Sequence, residues 1–128
     1  MRLLLDTHIW YWSLVEPARL GRRVRNELVK AHELWLSPVS TWEILLLNSK
    51  GRIKLHEDPT RWIAKATAGL REAPLTHEIV LAAYQLPLSH PDPTDRFLAA
   101  TAEVLDLTLV TADDRLLGLG EIKTLANR

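Results

Sequence analysis

A chain of 128 residues, 47% of them apolar, is long enough for one well-buried core and short for two, so a single domain over 1–128 is expected. Its 16 basic residues balance 16 acidic ones, which excludes bulk attraction to a polyanion and leaves any such contact to a local patch. The lack of cysteine excludes disulfides, thiolate catalysis and the usual structural zinc sites, and makes a cytoplasmic location the default expectation.

Arg2-Leu3-Leu4-Leu5 reads as a short buried strand, and Thr7 to Val15 carries a helix-compatible aromatic and aliphatic run. Asp6 and His8 break this apolar start, which lacks a small-residue cleavage site, so no signal peptide is expected. No apolar run anywhere approaches a bilayer span, so no membrane partner is expected. A second helix is expected near 18–31, then a short strand at Leu34-Trp35-Leu36.

Ser37-Pro38 opens a third helix that carries Ser40, Trp42 and Glu43 and ends near Lys50-Gly51, where glycine suits a helix C-terminus. A helical pattern runs from Pro59 to Arg71, Ala73-Pro74-Leu75 is a weak edge strand, and Thr76 starts a helix to about Tyr84. Leu86 to Pro93 reads as a loop. Asp92-Pro93-Thr94-Asp95 then opens a helix to Leu105, with aspartate as cap and proline at the first helical position. Leu107 to Thr111 is a strand, followed by a short helix near 114–117 and a last strand at about 121–125. Strands that alternate with helices point to a parallel sheet covered on both faces.

Four acids, Asp6, Glu43, Asp95 and Asp113, fall where apolar segments meet helices. Two of them, Asp6 and Asp113, leave strands at the edge where parallel sheets bind ligands. Each could instead cap a helix: Asp92 reads as an N-cap, Asp95 as a first-turn acid, and Ser40-Thr41-Trp42-Glu43 matches a capping box. The competing start at Ser37-Pro38 places Glu43 inside its helix. Jointly the four suit a hard divalent cation, Mg²⁺ or Mn²⁺, because carboxylates gathered without one would raise each other's pKa.

Several blocks in order resemble one family. They are Leu4-Leu5-Asp6-Thr7-His8, Ser40-Thr41-Trp42-Glu43-Ile44, Gly51-Arg52-Ile53, Asp92-Pro93-Thr94-Asp95-Arg96-Phe97-Leu98-Ala99-Ala100 and Leu109-Val110-Thr111-Ala112-Asp113. Together they resemble the PIN domain, in its VapC-type toxin branch of bacterial toxin-antitoxin systems, over nearly the whole chain. The resemblance implies a three-layer α/β/α sandwich with a central, mainly parallel sheet. It also implies a divalent-metal endoribonuclease that leaves a 3′-hydroxyl and a 5′-phosphate, with an antitoxin protein as partner and a homodimer as assembly.

By that resemblance Asp6, Glu43, Asp95 and Asp113 are the catalytic and metal-holding acids, and Thr111 takes the hydroxyl position before the last acid. Ser40, Arg96 and His8 are candidate supporting or substrate-facing residues, with Arg96 placed for phosphate or for pairing with an acid. Asp92 reads as a cap and Asp114 as surface. Leu47 stands where related chains often carry a basic residue. Two basic groups, Arg19, Arg22, Arg23, Arg25 and Lys30, then Lys50, Arg52 and Lys54, are the remaining candidates for RNA contact.

Core packing is the expectation for Trp35 and Trp42, while Trp10-Tyr11-Trp12 cannot all hide on one helix face, so one should meet a partner or loop. A PIN-like binding module with little catalysis is the alternative reading. An aspartyl phosphatase is disfavoured because His8 stands where a second aspartate is needed.

Overall fold

The structure, a computed structural model, describes residues 1–87 and 92–128. The loop expected from Leu86 to Pro93 therefore falls partly outside the described residues. Five strands form one sheet: β1 (Arg2–Leu5), β2 (Glu33–Leu36), β3 (Arg71–Glu72), β4 (Thr108–Thr111) and β5 (Lys123–Ala126). Their order is β3-β2-β1-β4-β5 and every pairing is parallel. The helices are α1 (Thr7–Val15), α2 (Arg22–Lys30), α3 (Pro38–Ser49), α4 (Pro59–Ala66), α5 (His77–Gln85), α6 (Pro93–Leu105) and α7 (Asp114–Leu117).

The pleat of β1 makes this a three-layer sandwich. Leu3 and Leu5 enter one apolar cluster with Ile9, Trp10, Val24 and Ile44, whereas Leu4, pointing the other way, joins Leu98, Leu109 and Ile79 in a second. Both faces of the sheet are thus covered, as parallel sheets require. From β1 the chain builds outward to β2 and β3, then returns to place β4 on the other side of β1. This reversal opens a crevice beyond the carboxyl ends of β1 and β4.

Three expected elements are corrected. The helix expected near 18–31 is divided into a 3-10 turn (Pro17–Arg19) and α2, because Gly21 has extended backbone and lies so close to Arg128 that a Cβ would overlap the Arg128 carbonyl. The helix expected to reach Arg71 ends at Ala66, after which Gly69 adopts φ +81° and turns the chain into the sheet. The edge strand consequently lies at Arg71–Glu72 and not at 73–75. Two residues are too few to show a period.

Trp42 is 63% exposed, contrary to the expected core position. Ser40 and Ile44 take the inward face of α3, and a residue two positions from each must point away. Trp35 is half-buried, with Arg2 and Arg71 over its ring and its indole N–H donated to Glu33. Trp10 is the buried member of the N-terminal trio and donates its Nε1–H to the Ala66 carbonyl at 2.9 Å, tying α1 to the end of α4. Among the described residues, no helix is long and apolar enough to cross a membrane.

Candidate functional site

Asp6 follows β1 directly, and its extended backbone lets one carboxylate oxygen accept the Thr7 N–H at 2.7 Å as the N-cap of α1. The cap was legible in the sequence. The second oxygen accepts from Thr111 Oγ1 at 2.7 Å, across the junction of β1 and β4, and Thr111 Oγ1 also accepts the Asp113 N–H at 3.0 Å. One buried hydroxyl at the end of β4 therefore orients two of the four acids.

Ser37, not Ser40, caps α3, accepting from the Val39 N–H at 3.1 Å with Pro38 at the first helical position. Ser40 and Glu43 consequently lie one turn apart within the helix. Ser40 is fully buried and its hydroxyl is hydrogen-bonded to that of Thr7 at 2.9 Å; with Ser40 as the donor, the Thr7 proton is left to help hold Glu43 ionised. Asp92 caps α6 through the Thr94 N–H, which sets Asp95 in the first turn. Asp113 caps α7 through the Arg115 N–H, and Arg115 Nε lies 3.4 Å from the same carboxylate.

These ends converge. An open cleft of about 450 Å³ is lined by Asp6, Glu43, Asp92, Asp95, Asp113, His8, Trp12, Ala112 and Arg115. The caps and the ligand candidates are the same carboxylates, so capping and a site role coexist here. Asp92, Trp12, Ala112 and Arg115 line the cleft without having been placed in the site by sequence reasoning, and Thr7 supports it from behind. Two carried a usable signal: Asp92, noticed as an acid beside the motif, and Trp12, one of three consecutive aromatic residues that cannot all be buried.

The cleft is electrostatically costly when it holds no cation. Burial raises the pKa of Asp6, against the opposing effects of the Thr111 hydroxyl, the Thr7 amide and His8, while Asp113 raises it further. Burial likewise raises Glu43, with Asp92 and Asp6 adding to it. Asp95 is pushed from 3.8 to about 7 by burial first and then by Asp6, Asp92, Asp113 and Glu43. That Asp95 feels the charge of each of the other four acids fits their place around one cleft.

The donor set is entirely oxygen, which fits Mg²⁺ or Mn²⁺ and not a soft metal. Among the described residues, no group of three His, Cys, Asp or Glu side chains is arranged to hold a metal ion outright. A hard ion that retains several waters and a substrate oxygen does not need such a cage.

Other candidates fall elsewhere. Arg96 directs its guanidinium to backbone carbonyls at the end of α5, donating to Ala83, Tyr84 and Leu86 at 3.0–3.2 Å. These contacts give Arg96 a structural role, since the carbonyls end a helix and need donors. Leu47 packs against the β1-side core. The basic residues of α2 and of 50–54 are exposed and do not line the cleft; Arg19 does not line it either but lies over the ring of Trp12, which does.

Thr111→Val is expected to cost about 1–3 kcal/mol, because it strips a buried carboxylate and a buried amide of one partner each. Chemical denaturation of wild type, Thr111→Val and Thr111→Ser measures this. An equal loss in both variants would show that the hydroxyl is not responsible.

The architecture is an all-parallel α/β sandwich with an acid-lined, oxygen-donor cleft at its switch point. The chain belongs to the PIN domain family, whose model matches residues 3–121. It is similar to Ribonuclease VapC22 of Mycobacterium tuberculosis, with 35% identity over 115 residues that cover 89% of this chain and 88% of the relative. Its fold is that of solved toxin-antitoxin proteins. VapBC2 from Rickettsia felis, bound to a promoter DNA fragment, gives a TM-score of 0.75 at 15% identity, with all of both chains covered. DNA-bound VapBC from Salmonella typhimurium gives 0.74 at 14% identity, covering 98% of each chain.

Proposed function

We propose that this chain is a divalent-metal endoribonuclease and the toxin of a toxin-antitoxin pair. The observation that carries the reading is the convergence of Asp6, Glu43, Asp95 and Asp113 on one cleft at the switch point. Similarity to a ribonuclease and to VapBC proteins supports the RNA substrate and the antitoxin partner.

Asp6 and Asp95 would hold Mg²⁺ or Mn²⁺, with Glu43 and Asp113 completing the set directly or through water. When bound, such an ion supplies Lewis-acid polarisation of a phosphoryl oxygen and lowers the pKa of water. The chain's own contribution is orientation. Thr111 fixes the carboxylate of Asp6 and the backbone N–H of Asp113, and Thr7 links Glu43 to Ser40 and so to the buried face of α3. No histidine base is needed. His8, the histidine on the cleft, is exposed and faces Trp12.

A homodimer and an antitoxin both need apolar surface. Trp42 and Leu46 on α3, Leu14 on α1, Val29 on α2, and Leu81 and Tyr84 on α5 are exposed and supply it. The test is to incubate purified protein with cellular RNA and Mg²⁺ or Mn²⁺, then map the new ends. Discrete cuts bearing 5′-phosphate and 3′-hydroxyl are expected. Intact RNA with either ion, or 2′,3′-cyclic phosphate ends, would overturn the proposal.

A further inference from the structure

The α1 wall of the acid cleft carries two rings one helical turn apart. His8 and Trp12 lie with centroids 5.6 Å apart at 50°, and both line the cleft with Asp6, Asp95 and Asp113. Over the indole lies Arg19, its Cζ 4.4 Å from the ring centroid. Trp12 is only half-buried, whereas Trp10, two residues away, is 1% exposed. An indole is seldom fully covered, so partial exposure alone is not diagnostic; the place of Trp12's open surface is. Trp12 touches the core and keeps part of its surface in the cleft.

The backbone that carries Arg19 is tied to the acid site. Asn127 Nδ2 donates to the Arg19 carbonyl at 3.1 Å and Asn127 Oδ1 accepts the Gly21 N–H at 2.7 Å. The Asn127 N–H in turn donates to the carbonyl of Thr111, the residue whose hydroxyl holds Asp6. The turn that presents Arg19 is therefore fastened to the strand end that presents the carboxylates.

We infer that His8, Trp12 and Arg19 form a stacking shelf for an unpaired base of single-stranded RNA, next to the phosphodiester cut at the acids. This rests on the ribonuclease reading and adds to it how the substrate is gripped. Carboxylates repel a phosphate backbone, so the cleft needs an attachment that does not depend on net charge. Aromatic faces and guanidinium planes supply it for unpaired bases, largely without regard to sequence, while a base inside a duplex keeps its faces covered. Arg19, which lies over Trp12 and 3.8 Å from the exposed Glu16 carboxylate, offers a guanidinium plane to the base and a cation that a phosphate can draw from that surface pair.

The test measures the affinity of a fluorescent single-stranded oligoribonucleotide for the full chain in chelator, and its KM and kcat with Mn²⁺. Trp12→Ala and Trp12→Leu are expected to weaken binding about tenfold and Trp12→Phe to keep most of it, with the loss appearing in KM. Arg19→Ala is expected to weaken binding and reduce its salt dependence. Melting curves check each variant, and if Trp12→Ala does not fold, the Phe and Leu variants decide.

Leucine matching phenylalanine would show that the ring only fills space and would overturn the shelf. So would loss of antitoxin affinity with RNA affinity intact, which would give the surface to a protein partner. A wild type that cuts RNA while all Trp12 variants match it removes this inference alone. A wild type that neither binds nor cuts RNA removes the ribonuclease reading with it.

Discussion

Asp6→Asn is expected to reduce RNA cleavage by about a hundredfold or more while leaving the protein folded. Outer-shell partners of a metal already cost about 10–100-fold when lost, and Asp6 sits inside that shell in the proposed arrangement. The amide keeps one oxygen to cap α1 through Thr7, so the fold retains its local contact. What disappears is the negative charge at the carboxyl end of β1. The check is initial cleavage rate against melting temperature for both proteins. Undiminished cleavage by a folded Asp6→Asn protein would detach the chemistry from this cleft.

Asp95→Asn is expected to stabilise the metal-free protein at neutral pH. Folding raises the pKa of this carboxyl from 3.8 to about 7, so between those values the folded state binds more protons than the unfolded one. Stability contributed through Asp95 is therefore present at low pH and is lost as pH rises towards 7. A shift of this size at a fully buried group corresponds to about 4 kcal/mol, and solvent screening of a partly exposed one reduces it to about 1–2 kcal/mol. Denaturation from pH 4 to pH 8 in chelator should show wild type losing stability relative to Asp95→Asn. Addition of Mn²⁺ should reverse the order, because the ion favours the ionised acid. Parallel pH curves for the two proteins would mean that folding does not raise the Asp95 pKa, by burial or by the neighbouring acids.

Much of this was legible where local chemistry and tertiary role coincide. Leu3-Leu4-Leu5 alternates between two cores and hands over at once to the capping Asp6, so strand, cap and candidate ligand are written in four residues. Asp92-Pro93 marks the start of α6 in the same way, with Asp95 inevitably in its first turn. Where two starts competed for α3, Ser37-Pro38 prevailed, because proline at the first helical position loses no hydrogen bond.

The rest depended on contacts remote in sequence. Thr7 looks like an ordinary first residue of a helix, and only the packing of α1 on α3 brings its hydroxyl to Ser40, 33 positions on. Arg96 stands beside Asp95 in sequence, yet its side chain spans to the carbonyls that end α5. Trp42 was expected inside for its size, but its angle on α3 relative to Ser40 and Ile44 decides its exposure. The Trp12 and Arg19 pair depends on a turn fastened by Asn127, more than 100 residues later, which no local pattern announces.

The most direct measurement is thermal unfolding of wild type and Asp6→Asn with increasing Mn²⁺. At ten times its dissociation constant, the ion should add about 1.4 kcal/mol to the wild type and nothing comparable to the variant. The same stabilisation in both proteins, or none in the wild type at millimolar ion, would contradict a shared divalent-cation site built from these acids.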